Sequence, residues 1–249
     1  MAFDKVRIRF YKGGDLRLVS HHDLMRCFER MLRRAALPIR NTSGFHPKPR
    51  LVFALSLPLG VVGREEVAEL ELTEPINPPE IHERLARHAP AGLEIISVQR
   101  IDPKAGAQVR RAGYRIALPP GRLDELPERI SALLSAEECW VERTRPHHRR
   151  YNLRPYLDQL RLEPDALEMD LWITPTGAAR AEEVLQLLGL DDLLASGAVL
   201  ERTRLELQDE TSNLDSVSVP VPVPDDFEHR EGEREGERER DRSHRQDLE

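Results

Sequence analysis

Segments with strand-like and helix-like hydrophobic patterns follow one another along the first hundred residues. Residues 5–11 alternate apolar and polar side chains, which is the period-two pattern of a half-buried strand. Apolar residues then recur at helical spacing behind Ser20, a typical helix cap, until Pro38 ends the pattern. The order strand, helix, strand, strand, helix, strand predicts a ferredoxin-like unit over residues 1–102. Its other elements are predicted as strands at 51–55, 67–72 and 93–101 and as a helix from Pro78 to near Pro90.

A similar order follows a short linker that contains Pro103 and Gly106. It predicts a second ferredoxin-like unit over residues 108–207, with one strand more than the ideal unit. The expected fold class is therefore α+β, with two ferredoxin-like (βαββαβ) units side by side and no detectable sequence repeat between them. The predicted elements of the second unit are strands at 114–118, 139–142, 157–162, 167–173 and 199–207 and helices at 123–134 and 177–188.

Charge is distributed unevenly along the chain. The formal net charge of −7 is the sum of −8 over residues 208–249, with 14 acidic and 6 basic residues, and +1 over residues 1–207. Residues 1–50 hold 12 Lys or Arg and 4 Asp or Glu, a net charge of +8. The acidic segment 208–249 has few apolar residues, which predicts a disordered tail. Such a tail is either a solvated extension or an interaction or autoinhibitory segment that competes with a polyanion for the basic region.

Several classes of protein are excluded by what the sequence lacks. No apolar run approaches the roughly 20 residues of a membrane span, and the first residues have no apolar segment typical of a secretory signal. Cys27 and Cys139 are too few for a disulfide framework or a Cys-rich metal site. Glycine-rich nucleotide loops, HExxH, GxSxG and CxxxCxxC motifs are also missing. We therefore expect a cytoplasmic protein that makes no membrane contact and holds no metal and no cofactor.

A basic face on the first predicted helix is the first candidate site. Its arginines are spaced so that they share one side of the helix, opposite the apolar residues. Such a field attracts phosphate groups, to which arginine offers bidentate contacts. The alternative is an ordinary solvated helix face. The arginines of this face are Arg26, Arg30, Arg33 and Arg34, and Arg7 and Arg9 are expected to project from the outer face of the first strand.

Two further motifs contain histidine. His21 follows Ser20 at the predicted helix start, where exposed backbone N–H groups favour anions, so it is a candidate phosphate contact or acid–base group; the alternative is a simple helix cap. The segment 41–50 contains Gly44, which permits a bend, and two stiffening prolines. Phe45 could stack on a base while Lys48 and Arg50 hold phosphates; the alternative is a surface loop anchored by a buried Phe45.

The segment 7–60 resembles the radical-SAM-linked family, a domain of unknown function (DUF2344). The family pattern is similar to S-H-x-D-L-M-R and G-F-x-P-x-P. His22 and His46 stand where leucine and asparagine are more common. The resemblance covers residues 3–207 and implies a working association with a radical SAM enzyme. The matching residues are Ser20, His21, Asp23, Leu24, Met25 and Arg26 for the first pattern and Gly44, Phe45, Pro47 and Pro49 for the second.

Three functions remain open from the sequence. The leading hypothesis is a non-catalytic accessory protein that binds transfer or ribosomal RNA and presents it to a radical SAM enzyme. The alternatives are a metal-independent endoribonuclease, with His21 and His46 as acid and base, and a protein–protein adaptor without RNA. For the leading hypothesis no residue is catalytic, and the expected RNA-binding residues are Arg7, Arg9, His21, Arg26, Arg30, Arg33, Arg34, Phe45, His46, Lys48 and Arg50.

Overall fold

The computed structural model describes residues 4–144 and 148–210. The predicted disordered tail lies outside the described residues from position 211 onward. The described part is a mixed α and β structure built on one large, mostly antiparallel sheet. Its strands are β1 (Asp4–Lys12), β2 (Leu51–Phe53), β3 (Val62–Leu72), β4 (Leu93–Ile101), β5 (Val109–Ala117), β6 (Trp140–Arg143), β7 (Arg149–Asn152), β8 (Leu157–Glu163), β9 (Ala166–Thr174), β10 (Gly177–Ala178) and β11 (Leu200–Leu207).

The helices are α1 (His21–Arg34), α2 (Pro78–Ala86), α3 (Leu126–Ser135), α4 (Ala181–Leu187) and α5 (Asp192–Ala195). The large sheet has the order β10-β9-β5-β11-β3-β1-β4, with β2 also paired to β3 and β8 to β9. Neighbouring strands are antiparallel except β3 and β11, which are parallel and meet through two residue pairs, Val62 with Glu201 and Gly63 with Arg202. β6 and β7 form a separate two-stranded ribbon.

Alternation along β1 separates the two faces of the sheet, as its sequence pattern predicts. Val6, Ile8 and Phe10 are at most 1% exposed and pack against α1. Because successive side chains of a strand point to opposite faces, Arg7 and Arg9 lie on the face that is turned away from α1. The predicted strand at 5–11 is confirmed, with one more residue at each end.

Helix α1 begins at the predicted cap. The Ser20 hydroxyl accepts a hydrogen bond from the Asp23 backbone N–H at 3.2 Å, which satisfies one of the free donors of the first turn. The helix ends at Arg34, four residues before Pro38, and Ala36 adopts a positive φ of 50°. The apolar stripe of α1 is buried on the sheet and comprises Leu24, Phe28, Met31 and Leu32.

Several predicted element bounds differ from the structure: β5 begins at Val109 instead of 114, and α2 ends at Ala86 instead of near Pro90. β3 begins at Val62 instead of 67, although residues 64–66 are charged, and Arg64 pairs there with Glu201 of the neighbouring strand. The predicted strand at 139–142 is not part of the main sheet, since it pairs with β7, which the sequence pattern did not predict. The first residues of the predicted helix at 177–188 form β10 instead, and α4 begins at Ala181.

Two apolar cores lie beneath the helices. The first contains Phe10 and Phe28, whose ring centroids are 4.9 Å apart, and belongs to β1–β4 with α1 and α2. The second packs α3 and α4 against β5, β8, β9 and β11, with Ile130 and Val184 among its members. A smaller third cluster joins β3, β5 and β11 and consists of Val67, Val109, Ala112, Leu205 and Leu207.

Candidate functional site

The outer face of α1 carries four exposed arginines, as the sequence predicts. Arg26 lies 3.2 Å from Asp23, one turn earlier, and both side chains are exposed. Arg30, Arg33 and Arg34 have no ion pair and no side-chain hydrogen bond within residues 4–144 and 148–210. Because α1 buries its other side, these three guanidinium groups face solvent together.

A short hairpin, residues 41–49, follows α1 after six connecting residues. Asn41 pairs with Pro49, and the Thr42 backbone N–H donates to the Lys48 carbonyl at 2.8 Å. The Lys48 backbone N–H in turn donates to the Thr42 hydroxyl at 3.0 Å. These bonds cross the hairpin twice, so its two arms are held at a fixed separation.

The tip of the hairpin presents Phe45. This side chain is fully exposed, with a relative accessibility of 101%. Gly44 has φ +129°, a conformation that residues with a side chain rarely adopt, and this bend turns the chain ahead of Phe45. The alternative prediction, a loop anchored by a buried Phe45, is therefore wrong. His46 is exposed beside it.

The basic residues of the hairpin region differ in their partners. Lys48 is exposed and forms no ion pair with the described residues. Arg50 lies 3.7 Å from Glu71, and Arg40 lies 2.8 Å from the same carboxylate. The Glu71 carboxylate thus partly neutralises both guanidinium groups. The net charge of Arg40, Lys48, Arg50 and Glu71 together stays positive.

His21 is half-buried at the start of α1. Its ring meets Phe53 edge-on, with centroids 5.4 Å apart, and its Nδ1 atom is buried without a hydrogen-bond partner among the described residues. Burial, and then the positive charges of His22, Lys12 and Arg202, lower the pKa of His21. His21 and His46 therefore have different surroundings: His21 is half-buried against Phe53, and His46 is exposed at the hairpin tip.

A buried charged cluster lies near the start of α1, where β11 pairs with β3. The Arg202 Nε donates to Glu66 at 2.8 Å, and its other nitrogens donate to the carbonyls of Leu55 and Ser56. Lys12 Nζ donates to the Val19 carbonyl at 2.9 Å. Lys12, Glu66 and Arg202 are each at most 2% exposed. The sequence pattern did not predict this cluster, although Lys12 continues the inward positions of β1.

Arg7 and Arg9 do not join the α1 surface. Arg7 donates to Glu69 at 2.8 Å and to Asp209 at 2.6 Å, and it is 4% exposed. Burial alone would lower the pKa of Arg7, but hydrogen bonds to Asp209 and Glu69 outweigh it and raise the pKa. Arg9 lies 2.6 Å from Glu210. Of the predicted RNA-binding residues, Arg7 and Arg9 therefore lie on the face of the sheet opposite the arginines of α1.

A metal-binding cluster and a membrane-spanning helix are both absent from the described part of the chain. Among the described residues, no three His, Cys, Asp or Glu side chains are placed to hold a metal ion. No helix of residues 4–144 and 148–210 is both long enough and apolar enough to cross a bilayer. Cys27 is half-buried and Cys139 is buried, both as free thiols.

Unpaired guanidinium groups and an exposed aromatic ring suit the two parts of a nucleotide, its phosphate and its base. Guanidinium groups make charge-assisted hydrogen bonds to phosphates, and an exposed ring offers a flat apolar face on which a planar base can stack. The α1 face and the hairpin are six residues apart in the chain, a separation that an extended chain spans in about 25 Å at most. The end of α1 and the base of the hairpin therefore lie within about 25 Å of each other.

Comparison with known proteins identifies the family of the chain. None of the curated proteins compared with it matches. A crystal structure described as that of an unknown protein from Galdieria sulphuraria is similar at 14% identity, covering 83% of this chain and 99% of that chain, with a TM-score of 0.26. At that score the two chains need not share a fold. The model of a family described as uncharacterized proteins conserved in bacteria, DUF2344, matches residues 5–185. The chain therefore belongs to the DUF2344 family.

Proposed function

We propose that this protein binds RNA through the outer face of α1 and the hairpin 41–49, and that it is a non-catalytic accessory protein of a radical SAM enzyme. One observation carries the proposal: Arg30, Arg33 and Arg34 share an exposed helix face and have no carboxylate partner within the described residues. Phosphate groups are the natural partners of such a face, because each arginine can bind two phosphate oxygens.

The arginines of the sheet contrast with those of α1. A paired guanidinium group must give up its carboxylate before it can bind a phosphate, so it contributes less to RNA binding. The proposed interface therefore excludes Arg7 and Arg9, and it excludes His21, whose Nδ1 is buried. Paired sheet arginines include Arg7 with Glu69, Arg64 with Glu201, Arg111 with Glu206, Arg202 with Glu66 and Arg204 with Asp170.

The proposed substrate is a structured RNA, of the transfer or ribosomal class. Residues 20–50 carry seven Arg or Lys and two Asp or Glu, a balance of +5 that favours a polyanion. The radical SAM partner is supported by the resemblance of residues 7–60 to the radical-SAM-linked family. Because the proposed partner is an enzyme, we propose that the bound RNA is one that this enzyme modifies.

We further propose that the fold consists of two ferredoxin-like units, residues 1–102 and 108–207. The first half has the strand order β4-β1-β3-β2, and the second has β11-β5-β9-β8. Each order places the first and third strands of a unit in the middle, as the split βαβ arrangement requires. The ribbon β6–β7 is then an insertion in the second unit.

The proposal is tested by reversing two charges on α1. The variant Arg30→Glu/Arg33→Glu should bind RNA at least about tenfold more weakly than the wild type. It should also flatten the slope of log K against log salt by about 1.5, because two phosphate contacts are lost. Fluorescence anisotropy with labelled transfer RNA over a series of salt concentrations measures both quantities.

A control variant changes the same number of charges away from α1. Lys104 is exposed in the loop after β4, and Arg115 faces Asp165 at 3.1 Å on β5. The variant Lys104→Glu/Arg115→Glu should keep the affinity and the salt slope of the wild type. If the α1 variant binds RNA as the wild type does, the proposed interface is wrong.

The radical SAM partnership needs a separate experiment. The full chain, purified from cells after nuclease treatment, should still carry the radical SAM enzyme, since the proposed contact between the two proteins does not require RNA. Loss of the enzyme on nuclease treatment would mean that RNA alone bridges them, and its absence before treatment would contradict the partnership.

A further inference from the structure

The hairpin 41–49 is fixed to the sheet at its base. The Arg40 backbone N–H donates to the Glu71 carbonyl at 2.9 Å, and the Glu71 N–H donates to the Arg50 carbonyl at 3.1 Å. The Arg50 N–H donates to the Arg40 carbonyl at 2.8 Å, which closes the base. Glu71 belongs to β3, a central strand, so the hairpin extends from a rigid support.

The hairpin has little conformational freedom to lose on binding. Pro47 and Pro49 fix φ on one arm, and the bonds between Thr42 and Lys48 hold that arm to the other. A binding group that is ordered in advance avoids part of the entropy cost of association. The rigid hairpin thus holds Phe45 in solvent. A side chain held in this way can insert into a ligand without being ordered first.

The surroundings of Phe45 favour a nucleic acid over an apolar protein pocket. Residues 40–50 contain three Arg or Lys and no Asp or Glu, and Phe45 is their one aromatic residue. A protein pocket would be expected to meet further apolar contacts around a central ring. A nucleotide instead offers one planar base for the ring and one phosphate for Lys48.

We infer that Phe45 stacks on an unpaired nucleobase, so that the recognised RNA contains an unpaired loop or bulge beside the phosphates that α1 contacts. This inference rests on the proposed RNA-binding function. Bases inside an A-form duplex are stacked on their neighbours and closed to a protruding ring, whereas unpaired bases are open to it. The structure thereby narrows the substrate class from RNA in general to RNA with exposed bases.

The test compares two probes on the full chain. One is a labelled RNA hairpin with an unpaired loop, and the other is a fully paired RNA duplex of matched length. Phe45→Ala should bind the hairpin probe about tenfold more weakly, the factor that corresponds to ~1.4 kcal/mol, and should bind the duplex unchanged. Because Phe45 makes no packing contact in the interior, the substitution should leave folding intact.

A second variant gives a spectroscopic readout. In Phe45→Trp, the affinity for the hairpin probe should be retained, and stacking should quench the introduced indole with the hairpin probe but not with the duplex. The wild type supplies the background from Trp140 and Trp172. Leu187→Ala is the matched control, since Leu187 is an exposed apolar residue on α4, and it should bind both probes normally.

The outcomes separate this inference from the proposed function. If Phe45→Ala binds the hairpin probe normally while Arg30→Glu/Arg33→Glu does not, the stacking role is wrong and the RNA-binding function stands. An equal loss for hairpin and duplex also overturns the stacking role. If Phe45→Ala only lowers recovery of the radical SAM enzyme, Phe45 is a protein contact. If the wild type binds neither probe, the proposed function is wrong as well.

Discussion

The ring of His21 fills a position between the start of α1 and Phe53, where it acts as an apolar group. Its Nδ1 is buried and finds no partner in the described part of the chain. Burial lowers its pKa, and the positive charges of His22, Lys12 and Arg202 add to the shift. A histidine with a lowered pKa is neutral at neutral pH, so it brings no charge to a phosphate.

Replacing His21 by phenylalanine should stabilise the protein. His21→Phe removes a buried polar atom without a partner and keeps the edge-on contact to Phe53, so the free energy of unfolding should rise by about 1 kcal/mol. Urea denaturation at neutral pH measures the change. His22→Phe, at the exposed neighbouring position, should leave the stability within about 0.5 kcal/mol of the wild type.

The same variant should change the pH dependence of stability. The folded pKa of His21 lies below the unfolded value of about 6.5, so the unfolded state takes up the proton first as the pH falls. The titration of His21 therefore leaves the free energy of unfolding unchanged above about pH 6.5 and lowers it as the pH falls from there toward the folded pKa. His21→Phe should lack this loss, and identical pH profiles for the two proteins would contradict the assignment.

At the scale of elements, the two halves of the sheet are joined by a short parallel contact. β3 and β11 share two residue pairs, and the side chains of Arg202 and Glu66 cross the same junction. Arg202 also binds the carbonyls of Leu55 and Ser56, which fixes the segment after β2. This buried pair holds together elements that the backbone connects only weakly.

Breaking the pair should be costly. Arg202→Met leaves the Glu66 carboxylate buried without its main partner, and the free energy of unfolding should fall by about 3–5 kcal/mol. Replacing both residues, as Glu66→Leu/Arg202→Met, should recover much of that loss. A double-mutant cycle measured by chemical denaturation gives the coupling between the two side chains.

The neighbouring pair supplies a control for this cycle. Arg64 and Glu201 lie 2.7 Å apart, but their side chains are 42% and 21% exposed. Arg64→Met should therefore cost less than about 1 kcal/mol, because solvent screens the pair. A loss at Arg202 no larger than the loss at Arg64 would show that the buried junction contributes little.

The sequence predicted correctly those elements whose residue pattern lies within a single short segment. The alternation of β1 and the cap and apolar stripe of α1 are of this kind, and so is the arginine spacing on α1. The start of β3 was missed because Arg64 and Glu66 look exposed in sequence. Their partners, Glu201 and Arg202, lie more than 130 positions away.

The exposure of Phe45 could not be predicted from the sequence either. An aromatic residue between Gly44 and Pro47 fits both a buried anchor and an exposed tip. The choice depends on how the base of the hairpin joins β3 through Glu71, a contact between distant segments. The buried cluster of Lys12, Glu66 and Arg202 was hidden for the same reason, since its members come from three strands.

At the scale of the whole molecule, the described end of the chain returns to its beginning. Asp209 and Glu210 follow β11 and pair with Arg7 and Arg9 of β1 on the face that is turned away from α1. The basic N-terminal region is thus divided. One part is neutralised by carboxylates of the chain itself, and the other, on α1, stays open.

Removing these two carboxylates should weaken the fold modestly. In Asp209→Asn/Glu210→Gln, Arg7 keeps Glu69 as its partner, so the free energy of unfolding should fall by about 1 kcal/mol, and by more at low salt. Thermal unfolding at two salt concentrations measures the change. Asp124→Asn/Glu128→Gln removes two exposed acidic charges from the second half, and an equal effect there would contradict the assignment to Arg7.

The parallel junction of β3 and β11 has a consequence for how the chain folds as it is synthesised. β2 pairs with residues 68–70 of β3, but the partner of Val62 and Gly63, β11, begins only at Leu200, so this part of the β3 edge stays open for most of the elongation of a nascent chain. An open strand edge is a template for pairing with another chain. Arrival of β11 closes this part of the edge and so removes an open template from the nascent protein.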